Sequence, residues 1–290
     1  MITQRFLDPT NDIAFKKVFV DKKERLISFL NSLLEERMGG KIISIIFLPT
    51  EEIPNLGQGK RNMFDLKVKD ENGRIYVVEM QRKPDKYFVP RVQLYAAHAL
   101  VSNVTKGSTG KDIIPIVVIS ICDHKIFGNE VPCVSFHRTI EEETNECHLF
   151  LLKYLFIELP KFKKTEGELR TIEDDWIYFF KHSSELKEVP KNVRDENVIE
   201  AYREIEQFNW SVEEYDAYVR ASMTLDSELT KIETAFEEGI EKGKAKGLKE
   251  GKAGEKVQIA KNLMSAGLDI KTISETTGLT ESEVEKLKQS

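Results

Sequence analysis

The sequence predicts an α/β domain: a mixed sheet buried between helices, in the order α-β-β-β-α-β, followed by a helical C-terminal region. Three observations predict it. Residues 64–81 alternate apolar and polar side chains on both sides of an Asn-Gly turn, the pattern of a hairpin. Residues 113–121 are apolar on both faces, as in a fully buried strand. Apolar residues recur at helical spacing before the hairpin and directly after it.

In chain order, residues 11–35 form the first helical stretch, with Phe15, Val18, Phe19, Leu26, Phe29, Leu30 and Leu33 on its inner face and a break near Asp21. Lys41 to Leu48 is a buried-strand candidate, and the hairpin follows it. Val89 to Val104 reads as a helix through Val92, Tyr95, Ala96, Ala99 and Leu100. The apolar strand after it carries Pro115 near its start, where a missing amide is tolerated. Val134 to Thr139 and Leu149 to Leu159 extend the sheet, and Leu169 to His182 packs a stripe of Leu169, Ile172, Trp176, Phe179 and Phe180. Glu173, Asp174 and Asp175 read as a solvated face of that helix. Pro190 and the polar run behind it mark a boundary, so we expect a sheet domain over 1–190 and a helical extension over 191–235, with Val198 to Tyr218 helical.

The hairpin carries the chemistry. Glu79 and Gln81 share a face with Ile75 and Val77, and Asp65 shares one with Lys67. A three-residue loop Glu71-Asn72-Gly73, with Gly73 left-handed, pairs Asp70 with Arg74 and sets Asp65 opposite Glu79. Opposed side chains have Cβ atoms roughly 5 Å apart. A two-residue turn puts Asp65 opposite Met80 instead. We favour the first register because it gathers three polar groups on one face. Two opposed, partly buried carboxylates must take up a proton or bind a cation. Mg²⁺ accepts one or two carboxylates together with water and phosphate, so the pair suits a Mg²⁺ or Mn²⁺ site. Charged residues on an exposed sheet face are the other explanation of the same pattern.

Several classes are disfavoured. No apolar run approaches the length of a membrane span and the N-terminus lacks a leader pattern, which points to a cytoplasmic location with no membrane contact. The three cysteines, Cys122, Cys133 and Cys147, are scattered, as free thiols are. With His124, His137 and His148 they match no standard zinc spacing. A net charge of −6 and a pI near 5.6 argue against tight nonspecific DNA affinity but leave a local phosphate site open.

Four motifs occur together: Thr10-Asn11-Asp12-Ile13-Ala14-Phe15-Lys16-Lys17-Val18-Phe19, Val78-Glu79-Met80-Gln81, Arg91 with Tyr95, and Ile157-Glu158-Leu159-Pro160-Lys161. Over roughly residues 5–165 the chain thereby resembles the Rpn family of recombination-promoting, transposase-like nucleases, within the PD-(D/E)XK superfamily. The resemblance implies a restriction-endonuclease-like αβββαβ core. It implies a Mg²⁺-dependent DNA endonuclease linked to recombination, mobile elements or phage defence. Asp65 and Glu79 would be its metal-binding acids. The superfamily usually has lysine where this chain has Gln81, which can position water or phosphate but cannot act as a cation or base. Asp12 would complete the site from the first helix, although capping also explains an acid there. Arg91, Tyr95 and Lys67 are the substrate-binding candidates. Arg91 and Tyr95 share a helix face, where they either bind phosphate and brace the acids or form a core residue and its rim.

The C-terminal region differs in kind. Gly239, Gly243, Gly247 and Gly251 recur every four residues across 236–256, either as a close-packing helix stripe or as a linker. Residues 257–290 form a small helical module resembling a helix-turn-helix, with Thr280 and Glu283 as a capping box. Its last helix carries Glu281, Glu283 and Glu285, which phosphate repels, so self-association or regulation is favoured over reading DNA. The expected partners are DNA and further copies of the chain. The competing function is a catalytically silent interaction protein that keeps the fold and oligomerises through its C-terminal helices.

Overall fold

A computed structural model describes residues 5–50, 64–104, 109–110 and 113–287. The chain divides into two compact units, Met1–Thr224 and Leu225–Ser290.

The first unit is built on a six-stranded mixed sheet. Its strands are β1 (Ile45–Phe47), β2 (Leu66–Asp70), β3 (Ile75–Gln81), β4 (Ile116–Cys122), β5 (Val134–Arg138) and β6 (Leu152–Glu158), in the spatial order β1-β2-β3-β4-β6-β5. Strands β3, β4 and β6 run parallel, and the outer pairs are antiparallel. All seven residues of β4 are buried, as a central strand covered on both faces requires. The α-β-β-β-α-β core is therefore present, and the two further strands extend it beyond β4.

One face of the sheet is covered by α1 (Asp12–Val20), α2 (Lys23–Met38), α4 (Ile172–His182) and α5 (Glu196–Glu204). Their aromatic residues interlock: the Phe19 ring lies 5.5 Å from both Phe29 and Trp176, and Phe180 meets Phe15, Phe19 and Phe29. The other face is covered by α3 (Phe88–Ser102), whose Phe88, Val92, Ala96 and Ala99 pack on Ile75, Val77, Ile116 and Val118. The expected break near Asp21 separates α1 from α2.

Three differences from the sequence reading have physical causes. Val193, Val198, Ala201, Tyr202 and Ile205 are buried in the main core, so residues 191–224 fold with the sheet rather than beyond it. The helix expected over Val198 to Tyr218 is interrupted after α5. Trp210 turns inward there, donating its indole N–H to the Glu204 carbonyl at 2.7 Å, and a new helix begins behind Ser211 and Glu214. Asp174 and Asp175 are not solvated. Asp174 accepts the amides of Arg170 and Thr171 and pairs with Lys164 at 2.6 Å, while the Thr171 hydroxyl accepts the Asp174 amide. Asp175 is only 5 % exposed and accepts the Arg194 amide. The start of α4 offers unpaired amides to Asp174, and the Arg194 amide from a distant segment meets Asp175, so both take positions that a periodicity count assigns to solvent.

Helix α6 (Val212–Ser265) runs through the glycine-rich stretch. Within the second unit its C-terminal part joins α7 (Ile270–Thr277) and α8 (Glu281–Leu287) around Ala260, Ile273 and Val284. Gly278 is left-handed and ends α7, and the Thr280–Glu283 capping box starts α8. Among the described residues no helix is long and apolar enough to cross a membrane.

Burial raises the Asp175 carboxyl to about 6. A folded-state value above the unfolded one favours the fold at low pH, and that contribution is lost as pH rises through about 6. We therefore expect Asp175→Asn, which keeps an acceptor for Arg194, to stabilise the protein at pH 7.5 by about 1–3 kcal/mol and hardly at all at pH 4. Urea unfolding at the two pH values measures the difference.

Candidate active site

The hairpin joining β2 and β3 turns through a three-residue loop. Gly73 adopts φ +84° and its amide reaches the Asp70 carbonyl at 3.1 Å. The Asp70 side chain accepts the amides of Asn72 at 2.9 Å and Arg74 at 2.8 Å, and its other oxygen takes the Tyr76 hydroxyl at 2.8 Å. These bonds lock the register Leu66↔Val78, Lys67↔Val77, Val68↔Tyr76, Lys69↔Ile75. One further step sets Asp65 opposite Glu79, as the three-residue loop requires.

The register also determines how close the two acids come. The Asp70 amide bonds to the Arg74 carbonyl at 3.0 Å, so Asp70 and Arg74 are a hydrogen-bonded pair of the ladder. Alternation makes Asp65 and Glu79 a non-hydrogen-bonded pair, the class in which side chains approach most closely. At this end of the hairpin side chains replace the ladder. The Met80 amide donates to Asp65 Oδ2 at 2.8 Å, and the Asp65 amide donates to Glu79 Oε2 at 3.3 Å. One oxygen of each carboxylate is thus held by backbone, which fixes where both groups lie.

Both carboxyls are pushed above the ordinary range. Burial is the main cause for each; the Asp65 charge raises Glu79 further, and the Asp12 charge raises both. The opposing influences are the Met80 amide and Lys16 on Asp65, and the Asp65 amide and Arg91 on Glu79. An all-oxygen donor set, short of positive charge and half-buried, fits a hard divalent cation that keeps part of its water shell. Asp65 and Glu79 are the residues that would hold it.

The other candidates stand at graded distances from the pair. Asp12 opens α1 but does not cap it: the Asn11 side chain accepts the Ile13 amide, and Asp12 is exposed with its charge felt by both acids. Among the described residues no three His, Cys, Asp or Glu side chains gather closely enough to hold a metal, so the site is a pair with Asp12 alongside. Lys67 lies two ladder positions away opposite Val77, half-buried, with its ammonium shifted down by burial. Gln81 continues the face of Glu79, yet its Nε2 donates to the Lys83 carbonyl at 2.6 Å and its Oε1 accepts from Arg91 at 3.2 Å. Arg91 also pairs with Asp85, and its guanidinium lies 5.5 Å from the Phe88 ring and 5.9 Å from the Tyr95 ring. Tyr95 in turn meets Phe64 edge-on.

Residues 9–235 match the family model described as PD-(D/E)XK nuclease family transposase. The chain belongs to that family. Residues 254–289 match a second model, the C-terminal HTH domain of the Rpn/YhgA-like nuclease family. No curated protein and no solved structure matches the chain. The family match spans the hairpin, α1 and α3, which are the elements that supply the acid pair and its neighbours.

Sequence reasoning missed Lys16 and Asp85. Lys16 stands four residues after Asp12, one helical turn along the same face, and that spacing was the available signal. Its charge lowers Asp65, whereas Lys17 is tied away by Glu214 and Glu204. Asp85 follows the strand in a loop and pairs with Arg91 across a break in secondary structure, which no periodicity reports.

Because the acids repel each other when no cation is present, Asp65→Asn is expected to raise the melting temperature of the metal-free protein at pH 7.5 by roughly 2–4 °C, since an amide can still accept the Met80 N–H. Differential scanning calorimetry in EDTA checks this. A lower melting temperature contradicts the repulsion.

Proposed function

We propose that this protein is a divalent-cation-dependent DNA endonuclease, using Mg²⁺ or Mn²⁺ to hydrolyse phosphodiester bonds in recombination, mobile-element movement or phage defence. The observation that carries the reading is the acid pair itself: two half-buried carboxylates forced together at a non-hydrogen-bonded position of a hairpin. That arrangement is unfavourable unless a proton or a cation joins it, and a divalent cation is the partner that leaves both carboxylates ionised. The family membership supplies the reaction class, nucleic-acid cleavage.

Asp65 and Glu79 hold the cation, and Asp12 adds negative charge from α1. When bound, the cation neutralises charge on the phosphodiester and acidifies water. The chain's own groups do the rest. The backbone amides of Met80 and Asp65 fix the two carboxylates, so the site is organised before substrate arrives. Lys16 adds positive charge that acts on Asp65 and Arg91 adds positive charge that acts on Glu79, and both would attract a phosphate to the acids. Tyr95 and Phe88 form the shelf under Arg91. Lys67 extends the basic flank along β2.

For the C-terminal helices we propose self-association. Phe236 and Leu248 on α6 are largely exposed, and the glycines between them let a second helix approach closely. On α8, Glu281, Glu283 and Glu285 outnumber Lys286 and disfavour a phosphate backbone.

Purified protein is expected to nick supercoiled plasmid with Mg²⁺ or Mn²⁺ and not with EDTA, and Asp65→Ala and Glu79→Ala are each expected to lower the rate at least about 100-fold. Calorimetric Mn²⁺ binding should vanish in both variants. Cleavage that survives both substitutions contradicts the assignment. Truncation after Ala235 is expected to reduce the mass in light scattering to that of a monomer, and an unchanged mass contradicts self-association through α6.

A further inference from the structure

The lysine that the superfamily places two residues after its second acid is replaced here by Gln81, and the geometry of this side chain is informative. Both ends of its carboxamide are engaged within the protein: Nε2 on the Lys83 carbonyl at 2.6 Å, and Oε1 on Arg91 Nη2 at 3.2 Å. A carboxamide so engaged is poorly placed to handle a water at the acid pair. It is well placed to hold an arginine.

Arg91 is held from two sides. Its Nη1 pairs with Asp85 Oδ2, its Nη2 with Gln81, and its guanidinium packs near the Phe88 and Tyr95 rings. Asp85 is itself fixed, accepting the Tyr87 amide at 2.8 Å just before α3. The Arg91 side chain remains 34 % exposed, and a guanidinium has donors to spare after two such bonds. Gln81 follows Glu79 on the same face of β3, so a guanidinium bonded to Gln81 stands on the side of the sheet that carries the acid pair. A planar fork immobilised along one edge is the arrangement that recognises phosphate with little loss of side-chain entropy.

We infer that Gln81 and Asp85 are positioning residues that hold the Arg91 guanidinium beside Glu79, so that its remaining donors grip a phosphate of the DNA. The inference rests on the proposed nuclease function for its ligand and adds the origin of phosphate recognition. Gln81 thereby acts through Arg91, and the two should behave as one unit.

A double-mutant cycle on the full-length protein tests this without requiring cleavage. The probe is a fluorescein-labelled DNA duplex, titrated in Ca²⁺ and read by anisotropy. Arg91→Met should weaken binding about 10- to 100-fold, and Gln81→Met about 3- to 10-fold. The double variant should bind no worse than Arg91→Met alone, within about twofold. Arg91→Lys, which keeps the charge and loses the fork, should also be insensitive to Gln81→Met. Thermal melts of each variant confirm that the fold is retained. Effects of Gln81 and Arg91 that multiply, or a Gln81→Met variant that binds like wild type, would overturn the inference, as would a wild-type chain that binds no duplex. Coupled binding by a protein that cleaves nothing with Mg²⁺ or Mn²⁺ would uphold the clamp and remove the nuclease reading instead.

Discussion

Two carboxylates that face each other across a β-ladder repel, and the site depends on how the chain enforces that encounter. The enforcement is local and strong. Asp70 gathers two amides and a tyrosine hydroxyl around the turn, and Gly73 supplies the left-handed residue that a three-residue loop needs. With that register fixed, Asp65 and Glu79 cannot slide apart, because a one-residue slip would also move Leu66 and Val68 out of the core. The hydrophobic face of β2 thus holds the polar face in position. Charge repulsion and core packing oppose each other at this site, and the packing prevails.

The surrounding elements are arranged around that pair. Helix α3 covers the same sheet face and stops being apolar near the acids, where it contributes Arg91. Helix α1 packs on the opposite face through Phe15, Val18 and Phe19, and its first two turns bring the charges of Asp12 and Lys16 to act on Asp65. The long interlock of Phe19, Phe29, Trp176 and Phe180 therefore has a consequence beyond stability: it sets the position of α1, and with it the charge at the site.

Much of this was legible in the sequence wherever a period carried it. The alternation in residues 64–81 and the three-residue loop Glu71-Asn72-Gly73 led to the register, and the register led to the acid pair. The continuous apolar run led to the buried strand β4. What could not be read depends on contacts between segments far apart or on groups outside any period. Asp174 and Asp175 look solvated by spacing and are buried, because the amides of Arg170 and Thr171 at the start of α4 bind Asp174 and the Arg194 amide from a distant segment binds Asp175. Residues 191–224 look like an extension after Pro190 and belong to the core, because Tyr202 and Ile205 reach Phe6 and its neighbours. Asp85 lies in a loop, and the engagement of both ends of Gln81 is a matter of side-chain placement that a residue type does not encode.

The most direct test of the central claim is to locate the cation. Crystals of the protein soaked in Mn²⁺ and measured at the manganese absorption edge should give an anomalous peak between Asp65 and Glu79. Crystals of Asp65→Asn treated in the same way should give none there. A peak elsewhere, or an acid pair that stays empty at millimolar Mn²⁺ with both carboxyls protonated, would contradict the account.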